Sequence, residues 1–236
     1  MSSPGTRSSA PGTTGRVVHW AAPYDMLVWI FLLGRERSFR EKLLSLAHLR
    51  PGEVVLDVGC GTGTLAIAAK RHVGPSGSVH GVDASLAMIV RATKKASRAR
   101  VTVAFRAAVV EALPYPDAHF DVVLSSMMLH HLPRKARQQC AHEIRRVLKP
   151  GGRVLAVDFG PTPGGRKGLF GHLHRHGHVE LREILDTLAG AGLSVVDNGA
   201  IGVRNLYFAL ATAPSLESRA PVISHERQPQ NGNHER

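Results

Sequence analysis

Short apolar runs alternate with amphipathic stretches through the central part of the chain. The first run, Glu53 to Val58, leads through a glycine-rich loop into Thr64 to Val73, whose apolar residues recur at helical spacing. A Gly-Pro-Ser-Gly turn follows at residues 74–77. This order predicts a strand, a loop and a helix.

The alternation continues over the next hundred residues. It predicts strands at Val79–Val82, Val101–Phe105, Phe120–Ser125 and Gly152–Phe159, with helices at Ser85–Ala99 and Arg134–Leu148. Right-handed crossovers of this kind produce a parallel sheet with helices on both faces. A helix at Val179–Ala191 and a hairpin of Leu193–Val196 and Val203–Ala211 follow. We therefore predict an α/β fold, Rossmann-like and doubly wound, with a mostly parallel seven-stranded sheet and an antiparallel C-terminal hairpin.

The flanks of this α/β domain, placed at residues 51–213, have a different composition. Two helices, one running from Pro23 through Met26–Leu33 and one at Arg35–Leu49, are predicted to form a helical cap over residues 16–50. Residues 1–15 and 214–236 are polar and contain few apolar side chains, so both are predicted to be disordered tails.

Net charge narrows the choice of partners. The formal charge is +12 and the pI about 10.6, which favours an anionic partner. Part of the excess positive charge lies on a predicted helix and its C-terminal end, at Arg91, Lys94, Lys95, Arg98 and Arg100. Charges on such a helix face are ordinarily solvated and need no binding partner. No aromatic-rich RNA-binding motif interleaves with these charges, so no nucleic-acid partner is predicted.

Cysteine usage and hydropathy bear on location. Cys60 and Cys140 lack the spacing of a zinc site and indicate a reducing cytoplasm, and the first residues lack the apolar core of a signal peptide. The apolar run Met26–Leu33 is shorter than the ~20 residues that cross a bilayer. Tyr24–Leu44 combines aromatic and aliphatic residues with arginines, which leads to the hypothesis of peripheral contact with an anionic membrane. The alternative is a cap packed over the active site.

The glycine loop carries the candidate chemistry. Its spacing is G-x-G-x-G, which differs from the G-x-G-x-x-G dinucleotide fingerprint, and its glycines allow a ligand close to the backbone. Asp83 ends the next strand, where its carboxylate can accept hydrogen bonds from ribose hydroxyls. Asp57, just before the glycines, would repel a pyrophosphate and attract an ammonium or sulfonium group. The loop therefore favours S-adenosylmethionine over a nicotinamide dinucleotide.

Several motifs resemble those of one enzyme family. Val55–Gly63 resembles the first motif of class I methyltransferases, and Gly81–Ser85 resembles their second-strand motif, with Met88 where the family often has Met. Glu111–Val123, Leu129–Leu132 and Val147–Gly152 resemble later signatures, so the resemblance covers about residues 53–158. The chain is similar to the branch of ubiquinone/menaquinone-type and phospholipid N-methyltransferase-like enzymes.

The resemblance implies S-adenosylmethionine as cofactor and a methyl acceptor that is a small molecule or lipid-like. It also implies a cofactor site, whose predicted members are Asp57, Gly59, Cys60, Gly61, Gly63, Asp83, Ala84, Met88, Val109, Val110 and Ser125. One position departs, because Ala108 and Val109 stand where the family has a Gly-Asp pair whose Asp contacts the adenine amino group. The backbone at Val109 and Val110 is left to flank the adenine. Two alternatives follow: a non-catalytic cofactor-binding relative and a nicotinamide-dependent oxidoreductase.

Methyl transfer from a sulfonium is an in-line displacement, so alignment of the acceptor is the main requirement. A base is needed only where the acceptor must lose a proton. His130 and His131 follow the fourth strand at the carboxyl edge of the sheet and are the candidate bases, unless they only pack against the next helix. Ser125 and Ser126 are candidate contacts to cofactor or acceptor. The sequence leaves carbon, nitrogen and oxygen acceptors open.

A histidine-rich segment lies between Gly160 and Gly177. Alternating histidines, His172, His174, His176 and His178, would share one side of a strand, as metal ligands do. The glycines around them favour a solvated lid over a metal site or an anion contact, so no metal is predicted.

Overall fold

The computed structural model describes residues 35–160, 180–203 and 205–215, together with Gly15. The predicted tails, the helix through Met26–Leu33 and the histidines at positions 172–178 fall outside these ranges. Within them a seven-stranded sheet has the order β3-β2-β1-β4-β5-β7-β6. Its strands are β1 Val54–Val58, β2 Ser78–Asp83, β3 Ala104–Ala107, β4 Phe120–Ser126, β5 Leu148–Phe159, β6 Ser194–Ala200 and β7 Leu206–Thr212.

Five α-helices accompany the sheet in the described part of the chain. They are α1 Glu36–Leu46, α2 Thr64–Val73, α3 Leu86–Arg98, α4 Arg134–Val147 and α5 Leu181–Gly190, and a single 3-10 turn covers Leu129–His131. The first five strands pair in parallel, whereas β7 pairs antiparallel with both β5 and β6. The predicted fold class is confirmed.

Each face of the sheet carries its own apolar layer. On one face α4 and α5 bury residues such as Cys140 and Leu188 against the strands. On the other face α1 and α2 bury Phe39, Leu43 and Ala66. Removal of this apolar surface from water is the main stabilising contribution. Part of the segment predicted as a cap, the helix α1, therefore contributes to the core.

The C-terminal end of α1 is fixed at the edge of the sheet where β1 begins. Arg153 of β5 donates to the backbone oxygens of Ala47 and His48, at 2.6 Å each, and forms an ion pair of 2.8 Å with Glu53. In the described part of the chain, no helix combines the length and apolarity required to cross a membrane.

Four strands have bounds that differ markedly from the prediction. β3 runs from Ala104 to Ala107 where Val101–Phe105 was expected, because its register is set by pairing with β2. β5 begins at Leu148, four residues before the predicted Gly152, where Leu148 pairs with Phe120. The hairpin strands are longer or shifted, at Ser194–Ala200 and Leu206–Thr212.

Candidate cofactor and acceptor site

The glycine loop joins β1 to α2 at the carboxyl edge of the parallel strands. Gly59, Gly61 and Gly63 have φ of 69°, 51° and 75°, a region that residues with a Cβ seldom adopt. A Cβ on Gly59 would lie 2.2 Å from Cγ of Met128, and one on Gly63 would lie 2.6 Å from Cζ of Phe105. Close packing as well as backbone conformation therefore requires glycine at positions 59 and 63.

Asp83 connects this loop to the helix that follows β2. One carboxylate oxygen accepts from the backbone N–H of Gly61 at 2.9 Å, and the other accepts from the backbone N–H of Ser85 at 2.8 Å. Burial raises the pKa of Asp83, and these two hydrogen bonds oppose the rise. The carboxylate is thus held at the edge of the sheet, in the position from which the sequence predicted contact with a ribose.

Asp57 is a buried acid below the same loop. Burial raises its pKa to about 8, a hydrogen bond from the backbone of Ala66 lowers it, and the charge of Asp83 raises it further. Its Oδ2 atom is buried without a hydrogen-bond partner among the residues that the structure describes. A buried oxygen in this state is costly unless a ligand supplies a donor or a positive charge. Asp57 therefore suits a cationic ligand.

Lys95 of α3 reaches the loop from the outside. Its Nζ donates to the hydroxyls of Thr62 and Thr64, at 2.8 Å and 2.9 Å. Thr62 is buried. The sequence analysis placed Lys95 on a solvated helix face and missed this role, because the contact joins residues 33 positions apart.

The predicted adenine side lies next to Asp83. The backbone N–H of Ala108 donates to the backbone oxygen of Asp83 at 3.0 Å, which brings the segment containing Val109 and Val110 beside the end of β2. Val110 is buried and Val109 half-buried. The main chain that the sequence analysis expected to replace the missing Asp therefore lies beside the second strand.

Three other predicted cofactor residues occupy different positions. Ala84 is exposed at the sheet edge, whereas Met88 is buried in α3 and its N–H is capped by the hydroxyl of Ser85 at 3.4 Å. Cys60 donates its backbone N–H to the oxygen of Val82 at 2.9 Å. Burial and then the charge of Asp57 raise the pKa of the Cys60 thiol well above its ordinary value. The Cys60 thiol is therefore not an activated nucleophile.

His130 forms a dyad with a buried acid that the sequence analysis did not select. Its Nδ1–H donates to Oδ1 of Asp158 at 2.7 Å, and its backbone N–H donates to Oδ2 at 3.1 Å. The backbone N–H of Phe159 donates to Asp158 as well, at 2.8 Å. Asp158 is fully buried at the end of β5. The signal in the sequence was a single carboxylate inside the apolar run Val154–Phe159.

The other strand-end candidates are placed less favourably for chemistry. His131 lies against His130, with ring centroids 3.9 Å apart. Ser125 is buried, and it lines a cavity of about 10 Å³ with residues of α4 and α5, including Arg137 and Leu188. Ser126 ends β4 at the carboxyl edge. Ser125 therefore contacts the helix layer, and its predicted cofactor role stays a prediction.

Comparison with known proteins finds matches over part of the chain. Residues 55–152 match the model of a family described as a methyltransferase domain. The ubiquinone/menaquinone biosynthesis C-methyltransferase of Laribacter hongkongensis is 35% identical over 149 residues, which cover 63% of this chain and 60% of that enzyme. The chain thus spans less than two thirds of the length of this curated relative.

Solved structures support the same fold. A S-adenosylmethionine-dependent methyltransferase from Aquifex aeolicus aligns with a TM-score of 0.64 at 23% identity, over 73% of this chain and 88% of that chain. Geranyl diphosphate C-methyltransferase from Streptomyces coelicolor aligns with a TM-score of 0.63 at 18% identity, over 77% and 79%. Residues 55–152 are therefore similar to a methyltransferase domain, and the described chain shares the fold of these solved methyltransferases.

The geometry fits S-adenosylmethionine, the cofactor that the motifs predicted, at three points. The glycine loop presents backbone without side chains at the carboxyl edge of the sheet, and Asp83 presents a fixed carboxylate. The unpartnered oxygen of buried Asp57 suits the positive charges of the amino acid part. Among the residues described, no group of three His, Cys, Asp or Glu side chains is arranged to hold a metal ion.

Proposed function

We propose that this protein transfers the methyl group of S-adenosylmethionine to a small-molecule acceptor bound at the carboxyl edge of the sheet. The cofactor supplies a methyl group activated by its attachment to a positively charged sulfur. The chain's own residues hold the cofactor through the glycine loop, Asp57 and Asp83, and they align the acceptor and exclude water. The match of residues 55–152 to a methyltransferase domain supports this function over a nicotinamide-dependent oxidoreductase.

The contact between His130 and Asp158 is the observation that supports a catalytic role for a residue of this chain. Because a carboxylate only accepts, Nδ1 carries the proton and Nε2 of the neutral ring has a free lone pair. Nε2 makes no hydrogen bond with the residues that the structure describes. We assign His130 as the general base, and Asp158 as the residue that fixes its tautomer and stabilises the imidazolium.

The packing supports the assignment of His130, because the turn that carries it contacts the glycine loop. Met128 touches Gly59 so closely that no Cβ fits between them, and His130 follows Met128 by two residues on the 3-10 turn. His130 therefore lies at the edge of the sheet that carries the glycine loop. His131 lacks the link to Asp158 and is assigned no direct part in proton transfer.

A base at this position favours acceptors that lose a proton on methylation, such as hydroxyls, phenols and activated carbons. The relative from Laribacter hongkongensis is named for C-methylation in ubiquinone and menaquinone biosynthesis, and the Streptomyces structure for C-methylation of geranyl diphosphate. These names support a small, lipid-like acceptor. We propose this class for the present chain.

Release of S-adenosylhomocysteine during an acceptor screen tests the proposal. Hydroquinones, simple phenols and phospholipids form the panel, with amines as the comparison class. With a hydroquinone or phenol that is turned over, His130→Gln is expected to lower kcat by about 10²–10⁴-fold, whereas His131→Gln lowers it much less. Cofactor affinity should stay within about twofold in both variants, since neither residue belongs to the glycine loop.

Two outcomes of this screen would contradict the proposal. Turnover that is unchanged in His130→Gln would show that His130 is not the general base. Saturable binding of S-adenosylmethionine without product from any acceptor would favour the non-catalytic alternative.

We also propose a cytoplasmic location with peripheral membrane contact through the region Tyr24–Leu44. Of this region the structure describes the part from Arg35, where Arg35, Arg37 and Lys42 are exposed and Leu43 and Leu44 are buried in the core. The exposed cations support attraction to anionic lipid. Cosedimentation with anionic vesicles at low salt tests the contact, and the absence of binding there would remove it.

A further inference from the structure

The outward face of α3 exposes large apolar side chains. Leu86 is 66% exposed and Val90 is 47% exposed, and they lie one helical turn apart. Only one other large hydrophobic residue is this exposed within the described ranges, Val196 on β6. The opposite face of α3 already buries Met88, Ile89, Ala92 and Ala96, so Leu86 and Val90 do not serve the core.

The surrounding charge has a single sign. Residues 84–110 contain six Lys and Arg residues and no Asp or Glu, so this stretch accounts for +6 of the formal charge of +12. Lys94, Arg98, Arg100 and Arg106 are exposed. A solvated helix face commonly mixes both signs, whereas this one carries cations alone.

Apolar and basic side chains form one continuous stripe along α3. Leu86, Val90, Lys94 and Arg98 follow each other at four-residue spacing, which places them on the same side of the helix. Lys95 is excluded from the stripe, because it turns inward to Thr62. The stripe starts with its apolar residues at the carboxyl edge and continues with its basic residues away from that edge.

The stripe lies at the edge of the sheet, where an extended external surface such as a membrane can reach it. α3 packs on β2 and β3, and β3 is the edge strand of the sheet. Leu86 lies three residues after Asp83, so the apolar end of the stripe is next to the cofactor site. A surface that met this stripe would therefore lie beside the edge of the sheet where the acceptor is proposed to bind.

We propose that the outward face of α3, formed by Leu86, Val90, Lys94 and Arg98, docks on the surface of an anionic phospholipid membrane. The cations attract the lipid headgroups, and the two apolar side chains enter the interface between headgroups and acyl chains. Nucleic acid is less well matched, since its phosphate backbone offers no apolar surface to Leu86 and Val90. The docking rests on the proposed function only in that a lipid-like acceptor gives it a use.

Vesicle binding by the full chain, without acceptor, tests this face directly. Cosedimentation with phosphatidylcholine vesicles, with and without phosphatidylglycerol, should show binding that depends on the anionic lipid and weakens with salt. Lys94→Glu/Arg98→Glu should reduce the partition coefficient by about tenfold or more, since each basic residue near such a surface contributes about fivefold. Leu86→Ser/Val90→Ser should reduce it by several-fold.

Matched controls lie elsewhere on the surface. Arg134→Glu/Lys135→Glu reverses two exposed charges at the start of α4, and Val196→Ser removes the exposed apolar residue of β6. Both control proteins should bind vesicles within about twofold of the wild type. Charge reversal also has a long-range effect through the net charge of the protein, and a titration of vesicle binding at low salt measures that effect separately. Affinity for S-adenosylmethionine should be unchanged in all four variants, which shows that each is folded.

Three outcomes would overturn the proposal. The first is vesicle binding that the α3 variants retain, which would move the contact to another surface such as the region Tyr24–Leu44. The second is binding to duplex DNA that exceeds binding to the vesicles and is lost in the same variants. The third is a dimer, measured by sedimentation, that Leu86→Ser/Val90→Ser dissociates. A failure of docking would leave methyl transfer to the hydroquinones and simple phenols of the acceptor screen untouched, because these acceptors are supplied in solution.

Discussion

The ammonium group of Lys95 donates a 2.8 Å hydrogen bond to the hydroxyl of Thr62 inside the glycine loop. A second bond of 2.9 Å reaches Thr64 at the first residue of α2. Helix α3 therefore holds the loop by its side chain, while Asp83 holds it through the backbone N–H of Gly61. The loop is preorganised from two sides before any ligand arrives.

Removal of the Lys95 contact should loosen the loop and weaken cofactor binding. We expect Lys95→Met to raise the Kd for S-adenosylmethionine about five- to thirtyfold, the equivalent of about 1–2 kcal/mol for charge-assisted hydrogen bonds on a half-buried group. Calorimetric titration measures this. Lys94→Met is the matched control, because Lys94 is exposed and faces away from the loop, and its Kd should not change. Equal affinities in the two variants would contradict the role assigned to Lys95.

Binding of the cofactor should be coupled to the protonation of Asp57. The free protein holds this acid with a pKa of about 8, raised mainly by burial, so it is largely protonated at neutral pH. A positive charge beside it favours the carboxylate and lowers the pKa. Binding at pH 7 should therefore release a proton, and affinity should rise as the pH increases toward 8. Titrations in buffers of different ionisation enthalpy detect the release. If Asp57→Asn released the same number of protons on binding, the proton would come from another group.

The same acid makes the free protein less stable as the pH rises. The pKa of Asp57 is about 8 when folded and near 3.8 in its ordinary state, so the folded chain binds more protons between these values. Its contribution to the free energy of unfolding is therefore fully present below about pH 4 and is lost as the pH rises to about 8. Asp57→Asn should flatten this decline and melt at a higher temperature than the wild type at pH 8. If the stability of the wild type and of Asp57→Asn fell equally as the pH rises, Asp57 would not be the source of the decline.

The glycine loop contacts the turn that carries His130, so an added methyl group at Gly59 should reduce both stability and cofactor binding. Gly59→Ala would force a Cβ to 2.2 Å from Cγ of Met128 in addition to the strain at φ 69°. Gly192→Ala is the matched control, since φ is 79° there and no atom lies within 4 Å of the added Cβ. We expect a cost of about 1–2 kcal/mol for Gly192→Ala from backbone strain alone. Gly59→Ala should lower Tm further and abolish cofactor binding, and similar values of Tm for the two variants would contradict this packing.

Local patterns were sufficient to predict most of the sheet and the cofactor loop. Helix α2 has the predicted bounds because glycines stand directly before and after it, at positions 63 and 74. The strand β3 was misplaced by three residues at its start, since an edge strand with mostly exposed side chains has no strong hydrophobic pattern. Its register depends on pairing with β2, which the sequence of β3 itself does not encode.

The residues that sequence reasoning missed act over long separations. Asp158 meets His130 across 28 positions, and Lys95 meets Thr62 across 33. Neither pair forms a local motif, so only the parallel order of β4 and β5, or the packing of α3 beside α2, brings the partners together. A charged residue at the end of an apolar strand was the available sign for Asp158.

Calorimetric titration of the full chain with S-adenosylmethionine, alongside Asp83→Ala, tests the central claim most directly. The claim is that the glycine loop and Asp83 hold this cofactor. It predicts one-to-one saturable binding by the wild type, a loss of about 1–3 kcal/mol in Asp83→Ala and no loss in Asp197→Ala, which removes an exposed carboxylate of β6. An affinity of Asp83→Ala equal to that of the wild type, or the absence of binding by the wild type, would contradict it.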